Sequence, residues 1–134
     1  MTRPWHQNVR RSPASERTLD GVVFDSKGEL ARWCELKLLE KAGEIAGLER
    51  QREVKLVIDG RAVLMRSARY PNGRPCRYTA DFAYFQAGKR VLEEFKGFDN
   101  AESRLRRAVV EAIYGIEIIV TGPAASKTPR KVAA

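Results

Sequence analysis

The sequence predicts an α/β domain, with a mixed central sheet flanked by helices. Two segments carry apolar residues at helical spacing. Between them lie runs rich in β-branched and aromatic residues, separated by turn dipeptides. A short apolar run follows the second helix. The resulting order is helix, three or four strands, helix, strand. With 134 residues, 43% of them hydrophobic, the chain suffices for one domain with a core.

The first helix is expected over residues 26–46. Ser26 can cap it, and Glu29 completes an S-x-x-E capping box. Leu30, Cys34, Leu38, Ala42 and Ile45 then share a face, and Gly47 ends the helix. Strands are expected at 50–58, which Asp59-Gly60 turns, and at 61–70, which Pro71-Asn72-Gly73 breaks. A third strand covers 77–86, where Tyr78, Phe82, Tyr84 and Phe85 favour extended backbone. A fourth covers 89–96. The second helix spans 101–114, with Leu105, Ala108, Val109, Ala112 and Ile113 on its core stripe and Gly115 as its stop. Residues 116–121 form the last strand.

The net charge of +8 is uneven. Residues 1–19 hold Arg3, Arg10, Arg11 and Arg17 against Glu16, and residues 122–134 hold Lys127, Arg130 and Lys131. Both stretches read as flexible basic arms around a nearly neutral folded domain at 20–121. Such arms can bind phosphate without sequence preference. No apolar run approaches the roughly 18 residues of a membrane span, and the start lacks a signal-like apolar region. A cytoplasmic protein with no membrane partner is expected.

Two cysteines, Cys34 and Cys76, and one histidine, His6, exclude most chemistries. A Cys/His zinc site lacks ligands, and Ser-His-Asp or Cys-His catalysis lacks its base. Catalysis would run on carboxylates, lysine and a hard metal.

The stretch RYTADFAYFQAGKRVLEEFKG, residues 77–97, carries the most chemistry. A hairpin centred on Ala87-Gly88 pairs residues whose numbers sum to 175, placing Asp81 opposite Glu94 and Thr79 opposite Lys96. A type I′ turn there requires Ala87 to take positive φ. Glu94 and Lys96 share a face, with Asp81 across from Glu94. Opposed carboxylates repel unless a cation lies between them, and oxygen ligands suit Mg²⁺ or Mn²⁺. Lys96 can then contact a phosphate or the attacking water, an arrangement suited to phosphodiester hydrolysis. A solvated strand face with Lys96 neutralising the acids is the plainer reading. Glu93 points to the opposite face and is read as peripheral. Gln51 could orient a water or phosphate. Arg104, Arg106 and Arg107 on the second helix, and Arg66, Arg69, Arg74 and Arg77 around the strands, are candidate contacts to a nucleic-acid backbone. Trp33 and Tyr84 read as core.

Asp81, followed by Glu94-Phe95-Lys96, resembles the signature of the PD-(D/E)XK nuclease superfamily, although Thr79-Ala80 stands where that pattern often has proline. The segments Phe24–Glu29, Glu35–Glu40, Gly43–Ile45, Leu48–Gln51, Tyr78–Asp81, Glu94–Gly97 and Glu111–Ile116 are similar to a family of short phage and prophage proteins. That family lies near the phage endonuclease I type of Holliday junction resolvase, and the likeness covers about residues 20–120. The resemblance implies a restriction-endonuclease-like core and Mg²⁺-dependent cleavage of DNA, including branched DNA, during phage replication or recombination. It implies a phage or prophage protein in a bacterial host, and by analogy a homodimer. It also implies that Glu29 joins Asp81 and Glu94 at the metal, in competition with its capping-box role. Two other readings stay open: a DNA-binding module of this fold that no longer cuts, and a phage structural protein with ordinary surface acids.

Overall fold

The structure is a computed structural model that describes residues 11–125. The outer parts of both expected arms lie outside the described residues. The inner parts are ordered. A 3₁₀ turn at Ala14–Arg17 leads into a two-residue ribbon of β1 (Thr18–Leu19) and β2 (Val22–Val23). The Arg17 guanidinium donates to the Ser12 and Phe24 carbonyls. Structure therefore begins before residue 20, because a charged side chain satisfies main-chain oxygens there.

Helix α1 (Lys27–Lys41) starts where expected, with Ser26 Oγ accepting from the Glu29 amide at 3.0 Å. It ends earlier, at Ala42 and the left-handed Gly43, and β3 (Ala46–Lys55) begins inside the expected helix. The buried face also differs. Leu36 is fully buried, with Trp33 and Leu39 packed in its cluster, whereas Cys34 and Leu38 are exposed. Apolar residues surround this helix, so periodicity alone did not single out one stripe.

The central sheet has the order β10-β9-β8-β3. Strand β8 (Arg77–Gln86) is antiparallel to both β3 and β9 (Lys89–Phe95). Helix α2 (Ala101–Tyr114) then crosses to β10 (Glu117–Thr121), which pairs parallel to β9. Asn100 caps α2 through Ser103, and Gly115 ends it in the left-handed region. The expected strand at 61–70 does not join this sheet. Residues 56–76 instead form an excursion of two small ribbons. In one, β4 (Val57–Ile58) pairs with β5 (Arg61–Ala62). In the other, β6 (Leu64–Met65) pairs with β7 (Arg74–Pro75).

The helices cover opposite faces. Leu36 of α1 packs with Ile45, Phe82, Tyr84 and Val91, while Val110 of α2 packs with Tyr78, Ala80, Ala83, Leu92 and Ile118. Neighbours Val91 and Leu92 thus enter different cores, as strand alternation requires. The α2 stripe is rotated from expectation: Leu105 is exposed, and the buried face is centred on Arg107 and Val110. An arginine at a core position conceals this face from a search for apolar residues.

The hairpin between β8 and β9 has the expected register, from Phe82↔Glu93 to Gln86↔Lys89. Ala87 and Gly88 both take positive φ, 50° and 75°, as a type I′ turn demands. The ladder ends at Phe82↔Glu93, so the expected pairings of Asp81 with Glu94 and of Thr79 with Lys96 do not form. Beyond it β9 stays with β10, and the Lys96 amide donates to the Thr121 carbonyl at 2.9 Å.

Candidate active site

Where β9 parts from β8, a cleft of about 460 Å³ opens. Its walls include Glu29 from α1, Asp81 from β8, and Glu94 and Lys96 at the end of β9. All four residues singled out in the sequence therefore meet in one place. Asp25, which sequence reasoning passed over, joins them. The acid immediately before the helix cap, near the Glu29 turn, was the available signal.

An irregularity in the sheet positions Asp81. The pairs Arg50↔Phe82 and Arg52↔Ala80 flank it, so Gln51 lies opposite, and Gln51 has a φ of 51°. Side-chain alternation resets here: Tyr78 and Ala80 belong to the α2 core, but Phe82 and Tyr84 to the α1 core. Asp81 Oδ2 accepts from the Phe95 amide at 2.8 Å, and Oδ1 accepts from Gln51 Nε2 at 3.4 Å. Burial raises the Asp81 pKa above the usual carboxylate range, and the charges of Glu94 and Asp25 push the same way.

Glu29 is 3% exposed. Its Oε1 has no hydrogen-bond partner, and Arg50 Nη2 is 3.9 Å away. Arg50 is itself held over the Phe24 ring, at 4.2 Å. Burial, then the charges of Asp81 and Asp25, push the Glu29 pKa up to about 7. A buried carboxylate oxygen without a donor is costly unless protonated or offered a cation.

Glu94 is compensated within the chain. Tyr78 Oη and Arg107 Nη1 donate to its Oε2 at 3.2 and 2.9 Å, and Lys96 Nζ lies 3.2 Å from Oε1. Ser103 Oγ, 3.4 Å from Lys96 Nζ, fixes the other side of the ammonium. Arg107 also forks onto Asp99, and that hydrogen bonding holds the Asp99 pKa below its ordinary value. Tyr78, Asp99 and Ser103 were not anticipated in the sequence.

The oxygens of Asp25, Glu29, Asp81 and Glu94 are the ones here that could hold a hard divalent cation. As they stand, no three His, Cys, Asp or Glu side chains among the described residues converge closely enough to hold a metal ion. Asp81 accepts from the Phe95 amide, and Glu94 is engaged by Arg107 and Lys96.

The remaining candidates separate. Arg107 was expected at a phosphate but is 7% exposed and committed to two carboxylates. Arg104 is exposed on α2, and its charge lowers the Asp99 pKa. Arg74, Arg77 and Arg106 line a second cavity with Arg66. Glu93, expected to be peripheral, is fully buried and receives both Arg32 Nε and Nη2, at 2.7 and 2.9 Å. Tyr84 Oη and Thr121 Oγ1 complete its shell. Trp33 stacks on Phe82, with centroids 5.9 Å apart. No helix of the described residues is long and apolar enough to cross a membrane.

No curated protein and no solved structure matches this chain. The family described as "protein of unknown function (DUF1064)" matches over residues 11–121, and the chain belongs to that family.

Proposed function

We propose that this protein is a metal-dependent endonuclease that hydrolyses DNA phosphodiester bonds, with branched or structured DNA as its substrate. The observation that carries the reading is the meeting of Glu29, Asp81, Glu94 and Lys96, from three elements, in one cleft where Glu29 Oε1 is buried without a partner. The order of α1, β3, β8, β9, α2 and β10 supports a restriction-endonuclease-like core. The spacing of Asp81 and Glu94-Phe95-Lys96 supports membership of the PD-(D/E)XK superfamily.

The donor set fits Mg²⁺ or Mn²⁺: all the acids are hard oxygen ligands, and one buried oxygen lacks a donor. Asp81, Glu94 and Glu29 would hold the ion. When bound, it supplies positive charge against the phosphate and acidifies a water at neutral pH. The Phe95 amide and Gln51 orient Asp81. Tyr78 and Arg107 orient Glu94. Lys96 would donate a hydrogen bond from its ammonium to a phosphate oxygen or to the attacking water, with Ser103 setting its direction. Resolution of a junction needs two cuts, which a homodimer would provide, acting in the cytoplasm of a bacterial host that carries the phage or prophage.

A second reading is a DNA-binding module that no longer cuts. The engagement of Glu94 by Arg107 and Lys96 favours it, because the acid is already neutralised without metal. One experiment decides. Labelled four-way junction, flap, single-stranded and duplex DNA are incubated with the protein in Mg²⁺, Mn²⁺ or EDTA, beside Asp81→Asn. The nuclease reading expects metal-dependent cutting that the variant loses while keeping its circular dichroism spectrum. Absence of cutting on every substrate overturns it.

A further inference from the structure

A second cavity, about 560 Å³, lies between the excursion and α2. Arg66, Arg74, Arg77 and Arg106 line it together with Tyr70, and no acid does. Arg77 and Arg106 have surface counterions, Glu53 at 3.3 Å and Glu102 at 2.9 Å. Among the described residues, Arg66 and Arg74 pair with no carboxylate. Their charge is compensated by no described carboxylate, unlike that of Arg107.

The cavity wall is built rather than loose. Ser67 and Tyr70 exchange backbone hydrogen bonds of 3.1 Å, and the Gly73 amide donates to the Tyr70 carbonyl at 3.0 Å. Gly73 has a φ of 95°, and a Cβ there would meet Leu64 Cβ at 2.7 Å, so the two sides of the ribbon are closely apposed. The guanidinium groups of Arg69 and Arg74 lie 5.6 and 5.4 Å from the Tyr70 ring. The Tyr70 ring thus lies between two guanidinium groups on the wall of the cavity.

This cavity is tied to the acidic cleft through two shared elements. Arg77 directly precedes Tyr78 on β8, and Arg106 directly precedes Arg107 on α2; Tyr78 and Arg107 are the residues that hold Glu94. An arginine-lined hollow carried by two of the elements that hold Glu94 suits a long polyanion gripped away from the point of attack. Guanidinium forks match phosphate oxygens.

We propose that this cavity binds the phosphodiester backbone of nucleic acid, with Arg66 and Arg74 as its principal phosphate ligands. The assignment deepens the nuclease reading by naming where the substrate backbone lies, and rests on it for the identity of that substrate. Binding of labelled duplex and single-stranded DNA is measured by fluorescence anisotropy in EDTA, across a salt series, for the wild-type chain and Arg66→Ala/Arg74→Ala. The variant should bind about 10-fold or more weakly, with the salt slope on duplex smaller by about two. The double lysine variant should recover the salt slope but only part of the affinity. If the double alanine variant does not fold, each single variant carries the same test, with a slope change of about one.

Loss on both DNAs assigns the site to duplex as well as single strands. Loss confined to single strands assigns it to an unpaired strand; both outcomes support the site. Unchanged affinity and slope on both overturn it. Cutting is scored separately in Mg²⁺. Wild-type cutting with binding indifferent to the substitutions overturns this site alone. No wild-type cutting, with binding that depends on the two arginines, overturns the nuclease and leaves the site standing.

Discussion

Arg107 donates from Nη1 to Glu94 Oε2 at 2.9 Å, and both side chains are largely withdrawn from water. The same guanidinium holds Asp99, so one α2 residue fixes the end of β9 and the loop after it. Arg107→Ala leaves two acids without their main cation. A loss of about 3 kcal/mol in stability is expected, as for breaking a buried pair, read as a melting temperature lower by on the order of 10 °C. A melting temperature unchanged within 2 °C, on the order of half a kcal/mol, would show the pair to be dispensable.

Glu29→Gln should stabilise the protein while removing cleavage. The folded-state pKa is raised from 4.5 to about 7, so the folded chain holds the proton more tightly than the unfolded chain. The contribution of Glu29 is therefore fully present below about pH 4.5 and is lost as pH rises through 7, by at most roughly 3 kcal/mol. Glutamine removes that decline. Melting curves at pH 5 and pH 8 should show wild type losing more than the variant over this interval, and Mg²⁺ should restore wild type alone at pH 8. Parallel curves without metal would refute the cost assigned to the buried charge.

Arg32→Ala should destabilise by about 3 kcal/mol, because Glu93, with no exposed surface, keeps only Tyr84 and Thr121 as side-chain donors among the described residues. Replacing both partners by apolar residues, Arg32→Met with Glu93→Leu, should recover most of that loss. Urea denaturation of the three variants tests the ordering. A double variant no more stable than Arg32→Ala contradicts it.

Ala87→Gly should stabilise by about 1 kcal/mol, since the left-handed region strains any residue with a Cβ. Glycine at the neighbouring position already avoids that strain. The change is remote from the cleft, so the midpoint of urea denaturation should rise while its slope stays constant.

The hairpin, both helix starts and the second helix were legible because each depends on residues close in sequence. Ser26 needs only Glu29, Gly115 only its own helix, and the β8–β9 register follows from a two-residue turn and strand periodicity. The same local logic placed Asp81 near Glu94-Phe95-Lys96. The departure of β9 from β8 was not legible, because it depends on β10, which arrives after a whole helix.

What the sequence determined alone was the alternation of helices and strands, the hairpin register and the identity of four residues with suitable chemistry. Only the tertiary structure decided which helix face is buried, that Arg107 enters the core to meet Glu94, and that Glu93 is buried with Arg32. It also decided that residues 61–70 stay out of the sheet and that Gln51 takes a positive φ opposite Asp81. The physical reason is that each depends on partners distant in the chain, and such pairings, those of the buried charges above all, leave no trace in local periodicity.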